Sequence, residues 1–140
     1  MIVRHEVIAE KYLRGVYSGD TSVVDDLAGN DVIATYPIFN KIFNTPSLIG
    51  REAVKKLATG FASRWKNPQI TIHETVKQDN KVVFIWSFRA KRIDSTAEDN
   101  KTTDEVHSWG GITFFRFDES GKIIVEIGEE SEPGPIGRLT

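Results

Sequence analysis

Residues 111–131 read GITFFRFDESGKIIVEIGEES, and this stretch decides the fold. ITFFRF is β-branched and aromatic, DESGK has the composition of a hairpin turn, and IIVEIGEES returns as a second strand. The returning strand carries Glu126, Glu129 and Glu130 among its apolar residues. A carboxylate on the packed face of a strand costs free energy unless it is partnered or put to use. Either these acids point into water, or one or two of them enter a pocket.

Working toward the N-terminus, the strand extends back to Glu105 as EVHSWGGITFFRF, after a polar excursion DSTAEDNKTTD at 94–104. Before it, QITIHETV, the tight turn QDNK and VVFIWSFRAKR form a hairpin. GREAVKKLATGFASRW, residues 50–65, places Val54, Leu57, Ala58, Phe61 and Trp65 on one helical stripe, and Asn67-Pro68 ends it. Residues 2–18 place Val7, Ile8, Tyr12, Leu13, Val16 and Tyr17 on another. Gly19 stops that helix, and Asp20 or Thr21 caps a short one through Leu27 that AGND ends. DVIATYP is a short strand bounded by Pro37. The tail EPGPIGRLT is irregular. Three helices and one early strand followed by four antiparallel strands make an α+β fold: a curved sheet with helices on one face, in a single domain over 1–140.

IFNKIFNTPSLIG, residues 38–50, is read as a loop, yet Ile38, Phe39, Ile42 and Phe43 are too apolar for an exposed one. They pack under the third helix or form a lid over a pocket; a mixed role has Phe39 facing the pocket.

Composition excludes several functions. With 140 residues, a formal net charge of -2 and no basic run, the chain offers no nucleic-acid surface. There is no cysteine, which removes disulfides and thiol chemistry, and His5 and His73 lack partners at metal-ligand spacing. No apolar run approaches the roughly 20 residues that span a bilayer, and the N-terminus lacks the pattern of a signal peptide. The expectation is a cytoplasmic protein with no metal and no membrane.

EKYLRGVYSGD, SLIGREAVKKLATGF and GITFFRFDESGKI together resemble the nuclear transport factor 2-like superfamily, its SnoaL-like and ketosteroid isomerase-like branches above all, over about residues 5 to 131. The resemblance implies a cone: a bent sheet and helices around an apolar pocket open at one end. It also implies a homodimer through the outer sheet face, and chemistry by carboxylates, Tyr or His rather than a cofactor. In that pattern the residue before FFRF, here Thr113, faces the pocket, and Gly111, Trp109, His107 and Glu105 share its face unless Gly110-Gly111 mark a bulge. Phe84, Trp86 and Phe88 line the cone, while Ile85, Ser87 and Arg89 face outward. Glu126, Gly128 and Glu130 face inward, and Ile127 and Glu129 outward.

Residue by residue, the carbonyl-polarising helix tyrosine of the isomerases matches Tyr12. Their base, an aspartate before the proline, is replaced by Tyr36, and its partner acid by Thr113. The acid–arginine–acid set of limonene epoxide hydrolases falls on Trp86, Phe88 and Gly128. Neither activity is therefore inherited. What is left is a different polar set, Tyr36, His107, Glu126, Glu130 and Tyr12, with Phe39, Phe61, Trp86, Phe88, Trp109 and Thr113 as substrate-binding candidates. A carboxylate among Trp and Phe rises in pKa and becomes a general acid or base near neutrality. Each candidate also has a structural reading: Tyr12 as helix core, His107 as an ordinary strand histidine, the aromatics as core. Three functions fit: a cofactor-independent enzyme acting on a hydrophobic oxygenated small molecule, a non-catalytic binder of such a molecule, or a dimerising or partner-docking module.

Overall fold

The structure, a computed structural model, describes residues 3–93 and 102–139. Helix α1 (His5–Ser18) buries Ala9, Tyr12, Leu13, Val16 and Tyr17 and leaves Val7 exposed. Gly19 closes it in the left-handed region, at φ 84°, so that the Asp20 N–H reaches the Gly15 carbonyl at 2.8 Å. Helix α2 (Ser22–Leu27) follows directly. Asp20 accepts the Ser22 N–H at 3.0 Å.

Strand β1 (Ala28–Thr35) starts three residues before DVIATYP, so AGND is strand rather than terminator. The segment expected to be a loop contains helix α3 (Pro37–Phe43), with Pro37 in its first turn and Asn44 ending it at φ 56°. Strand β2 (Leu48–Ile49) and helix α4 (Arg51–Arg64) complete the N-terminal half. Only Val54 and Ala58 of the α4 stripe are fully buried. Leu57 and Phe61 are partly buried because they face a cavity instead of the core.

Four long strands follow: β3 (Trp65–Gln78), β4 (Lys81–Ile93), β5 (Thr102–Phe117) and β6 (Ile123–Ser131). β3 begins before Asn67-Pro68, which falls in a break of its pairing with β4, Asn67 taking φ 54°. The sheet order is β2-β1-β6-β5-β4-β3, with β1 parallel to β6 and every other pair antiparallel. Most of the polar excursion lies outside the described residues; Thr102–Asp104 already belong to β5. Pairing of β4 with β5 is continuous from Lys81↔Arg116 to Lys91↔Val106, so Gly110-Gly111 make no bulge and the alternation of side chains holds. The tail folds back onto the sheet, where Gly134 packs on Gly110, and ends in a short 3-10 turn, Gly137–Leu139. No described helix is long and apolar enough to cross a membrane.

Candidate active site

Two glycines make room for the centre of the site. A methyl group at Gly128 would lie 2.0 Å from the Tyr36 ring, and one at Gly111 would lie 2.8 Å from the Trp86 ring. Tyr36 therefore crosses β6 over Gly128, and Trp86 crosses β5 over Gly111. Both reach Thr113, which pairs with Gly128 across the sheet. Tyr36 is aimed by its backbone: it is the extended residue that starts α3, at φ −143°.

These residues form a buried hydrogen-bond chain with one sense. Trp86 donates its indole N–H to Thr113 Oγ1 at 2.9 Å, and Tyr36 donates its hydroxyl to Glu126 Oε2 at 2.6 Å. Tyr36 and Thr113 lie 2.9 Å apart. An indole N–H can only donate. With Glu126 ionised, the Thr113 hydroxyl must then donate to Tyr36, and each bond polarises the next toward the carboxylate.

Glu126 itself is 5% exposed and opens only onto the cavity. Burial raises its pKa to about 7, the Tyr36 hydroxyl pulls it down, and Glu130 pushes it up again. Burial likewise lifts Glu130 to about 7, helped by Glu129. Burial holds the Tyr36 and Tyr17 phenols far above their ordinary value, and the carboxylates add to it. Both stay neutral donors at any ordinary pH.

The cavity holds about 640 Å³. Of the expected residues, Tyr36, Phe39, Phe61, His107, Trp109, Glu126 and Glu130 line it. The others stand elsewhere. Trp86, Phe88 and Thr113 are buried beneath the cavity rather than lining it, because Tyr17 packs over Trp86 and Phe88 at ring distances of 5.3 and 5.5 Å. Tyr12 is also off the cavity: it is fully buried against Phe115, its hydroxyl without a partner among the described residues. A carbonyl-polarising role for Tyr12 has no ligand-facing surface to act through.

His107 enters the cavity far from Glu126. Eight residues of β5 separate it from Phe115, the residue paired with Glu126, about 27 Å of extended strand. Its Nε2 lies 2.7 Å from Glu105 Oε1, and its ring stands edge-on to Trp65. The proton partner of Glu126 is thus Tyr36, and His107 forms a separate dyad with Glu105. Sequence reasoning overlooked Tyr17, Leu57, Arg64, Trp65 and Arg92 as cavity residues. Tyr17, Leu57 and Trp65 stood on the helical stripes, and only their position at the end facing the sheet separates lining from core. Among the described residues no group of His, Asp and Glu could hold a metal ion.

Comparison with known proteins places this arrangement. The structure is similar to that of TsrD from Streptomyces laurentii, at 18% identity and TM-score 0.70, covering 99% of this chain and 96% of that one. It is similar to IdmH from Streptomyces antibioticus, described as a proposed polyketide cyclase, at 13% identity and TM-score 0.74, covering 97% and 98%. A computationally designed 17-OHP binder shares the fold at 16% identity and TM-score 0.64, covering 87% and 89%. At such identities the likeness shows the fold alone. No curated protein matches the sequence. The family model for the SnoaL-like domain matches residues 9–126, and the chain belongs to the SnoaL-like domain family.

Proposed function

We propose that the protein is a cofactor-independent enzyme that moves protons on a hydrophobic, oxygenated small molecule, in the manner of an isomerase or cyclase. One observation carries the reading: a carboxyl group with a pKa of about 7 faces an apolar cavity while a neutral tyrosine holds its inner oxygen. A base poised near the working pH is both substantially ionised and strong enough to take a proton from carbon. Glu126 is the acid/base, Tyr36 fixes its geometry, and Glu130 is a second carboxyl on the same wall. The His107–Glu105 dyad serves the far end of the cavity. The sheet's outer face, where Ile112 and Ile127 are exposed, pairs two copies.

5-Nitrobenzisoxazole tests this without knowledge of the substrate, since its ring opens when one carbon-bound proton is removed. The expected rate exceeds that of free carboxylate, rises with pH through a midpoint near 7, and is lost in Glu126→Gln. A Glu126→Gln and Glu130→Gln pair that both keep the wild-type rate would remove the acid/base reading.

A second reading, a non-catalytic binder, is favoured by the Tyr36–Glu126 bond, which satisfies the acid from within the protein. Native mass spectrometry of freshly purified protein separates the two: an apolar molecule recovered chemically unchanged after incubation supports binding alone.

A further inference from the structure

The mouth of the cavity carries positive charge that proton transfer does not use. Arg64, the last residue of α4, lines the cavity together with Arg92 of β4 and Lys41 of α3. The Arg64 guanidinium lies over the Phe61 ring, 5.7 Å from its centre. Among the described residues it makes no ion pair. Burial and the neighbouring Arg92 both act against its charged form. The end of α4 and the face of Phe61 offset part of that cost. Among the described residues neither takes a directed hydrogen bond from Arg64, whose five donors form a rigid fork. Of the three acids on the same lining, Glu132 is exposed to water, Glu126 is held by Tyr36, and Glu126 and Glu130 are both neutral over much of the range below pH 7.

Resting on the reading that this cavity is the ligand site, we propose that its ligands are apolar anions. A planar anionic head, carboxylate or sulfonate, docks on Arg64 beside Arg92, and the apolar body lies past Phe61 and Trp109 toward Glu126. The head would put paired oxygens in place of water on the half-buried guanidinium and lower the cost that Arg92 adds to its charge. It would also fix which end of the molecule meets Glu126. A ligand anchored at the mouth presents its far end to the carboxylate, so the reacting carbon is the one remote from the anionic head.

Two fluorescent probes of similar skeleton provide the test: 1-anilinonaphthalene-8-sulfonate, which carries a sulfonate, and neutral N-phenyl-1-naphthylamine. Titrated at pH 6, where Glu126 and Glu130 are largely protonated, both are expected to bind the wild type. Arg64→Met should weaken the sulfonate by about tenfold, the scale of one lost hydrogen bond to a charged group, and leave the neutral probe unchanged. Arg64→Lys, which keeps the charge without the fork, should recover part of the loss. An equal effect on both probes, or none on either, overturns the anionic ligand while the cavity reading stands. Failure of the neutral probe to bind the wild type overturns the cavity reading, and the proposal with it.

Discussion

Replacing Glu126 with Gln removes one ionisable group and keeps its shape, so the effect on stability can be worked out before measurement. The folded pKa is about 7 and the reference value 4.5. The folded state therefore holds its proton where the unfolded chain has released it. The sign follows: wild-type stability from this group is fully present below pH 4.5 and lost as pH rises to about 7. A displacement of that size corresponds to about 3 kcal/mol in total, at about 1.4 kcal/mol per pH unit. The Gln variant loses nothing over that range, and its amide oxygen accepts from Tyr36 much as the neutral carboxyl does. At pH 4.5, where folded Glu126 is protonated, the two proteins should be about equally stable. At pH 8 the variant should be more stable by about 3 kcal/mol. Urea denaturation of both proteins at a series of pH values gives the difference directly, and Glu130→Gln as background removes the second acid that titrates in the same range. A wild-type-minus-variant difference constant to within about 0.5 kcal/mol from pH 4.5 to 8 would refute the claim that Glu126 is desolvated.

Other substitutions probe the supports. Gly128→Ala puts a methyl into the Tyr36 ring; a loss of about 1–3 kcal/mol is expected, together with a changed Glu126 midpoint in carboxyl-carbon NMR. An unchanged midpoint would mean that Tyr36 does not depend on that gap. Trp86→Phe keeps most of the ring and deletes the donor that sets the sense of the chain, and should raise the Glu126 midpoint by loosening the Tyr36 bond. If the midpoint stays put, the indole N–H has no influence beyond packing. Ile112→Lys with Ile127→Lys charges the exposed outer sheet face and should convert a dimer to a monomer in sedimentation equilibrium. A wild type that sediments as a monomer at all concentrations would dispose of the dimer.

The faces of the strands were legible because their period of two survives wherever pairing is unbroken. With the family resemblance setting Thr113 inward, Glu126 in and Ile127 out follow from alternation and the turn, and the continuous ladder across Gly110-Gly111 carried the same alternation to His107. Depth was not legible. Trp86 and Phe88 point inward as read, but Tyr17 from another element covers them, and no local pattern reports that cover. The short helix at Pro37 was hidden by its length: seven residues span two turns, too few for a periodic stripe to separate from an apolar loop. Tyr12, matched in sequence to the isomerase tyrosine, lies on α1 as read, but its hydroxyl ends in the core and not at the cavity. Gly128, inward-facing between Glu126 and Glu130, is the slot that Tyr36 fills, which no local pattern reports.

The chain from Trp86 to Glu126 is a cul-de-sac. Its inner end is an indole nitrogen that cannot take up a proton, so nothing delivered to Glu126 can drain through Tyr36 and Thr113 to the far side of the sheet. On the proposed reading, a proton lifted by Glu126 therefore leaves on the cavity side, either to the bound molecule or past Glu130 to the mouth. For a carbon acid held there, return to another atom of the same molecule would compete with loss to solvent. In deuterated water the fraction of label in the product would measure that competition.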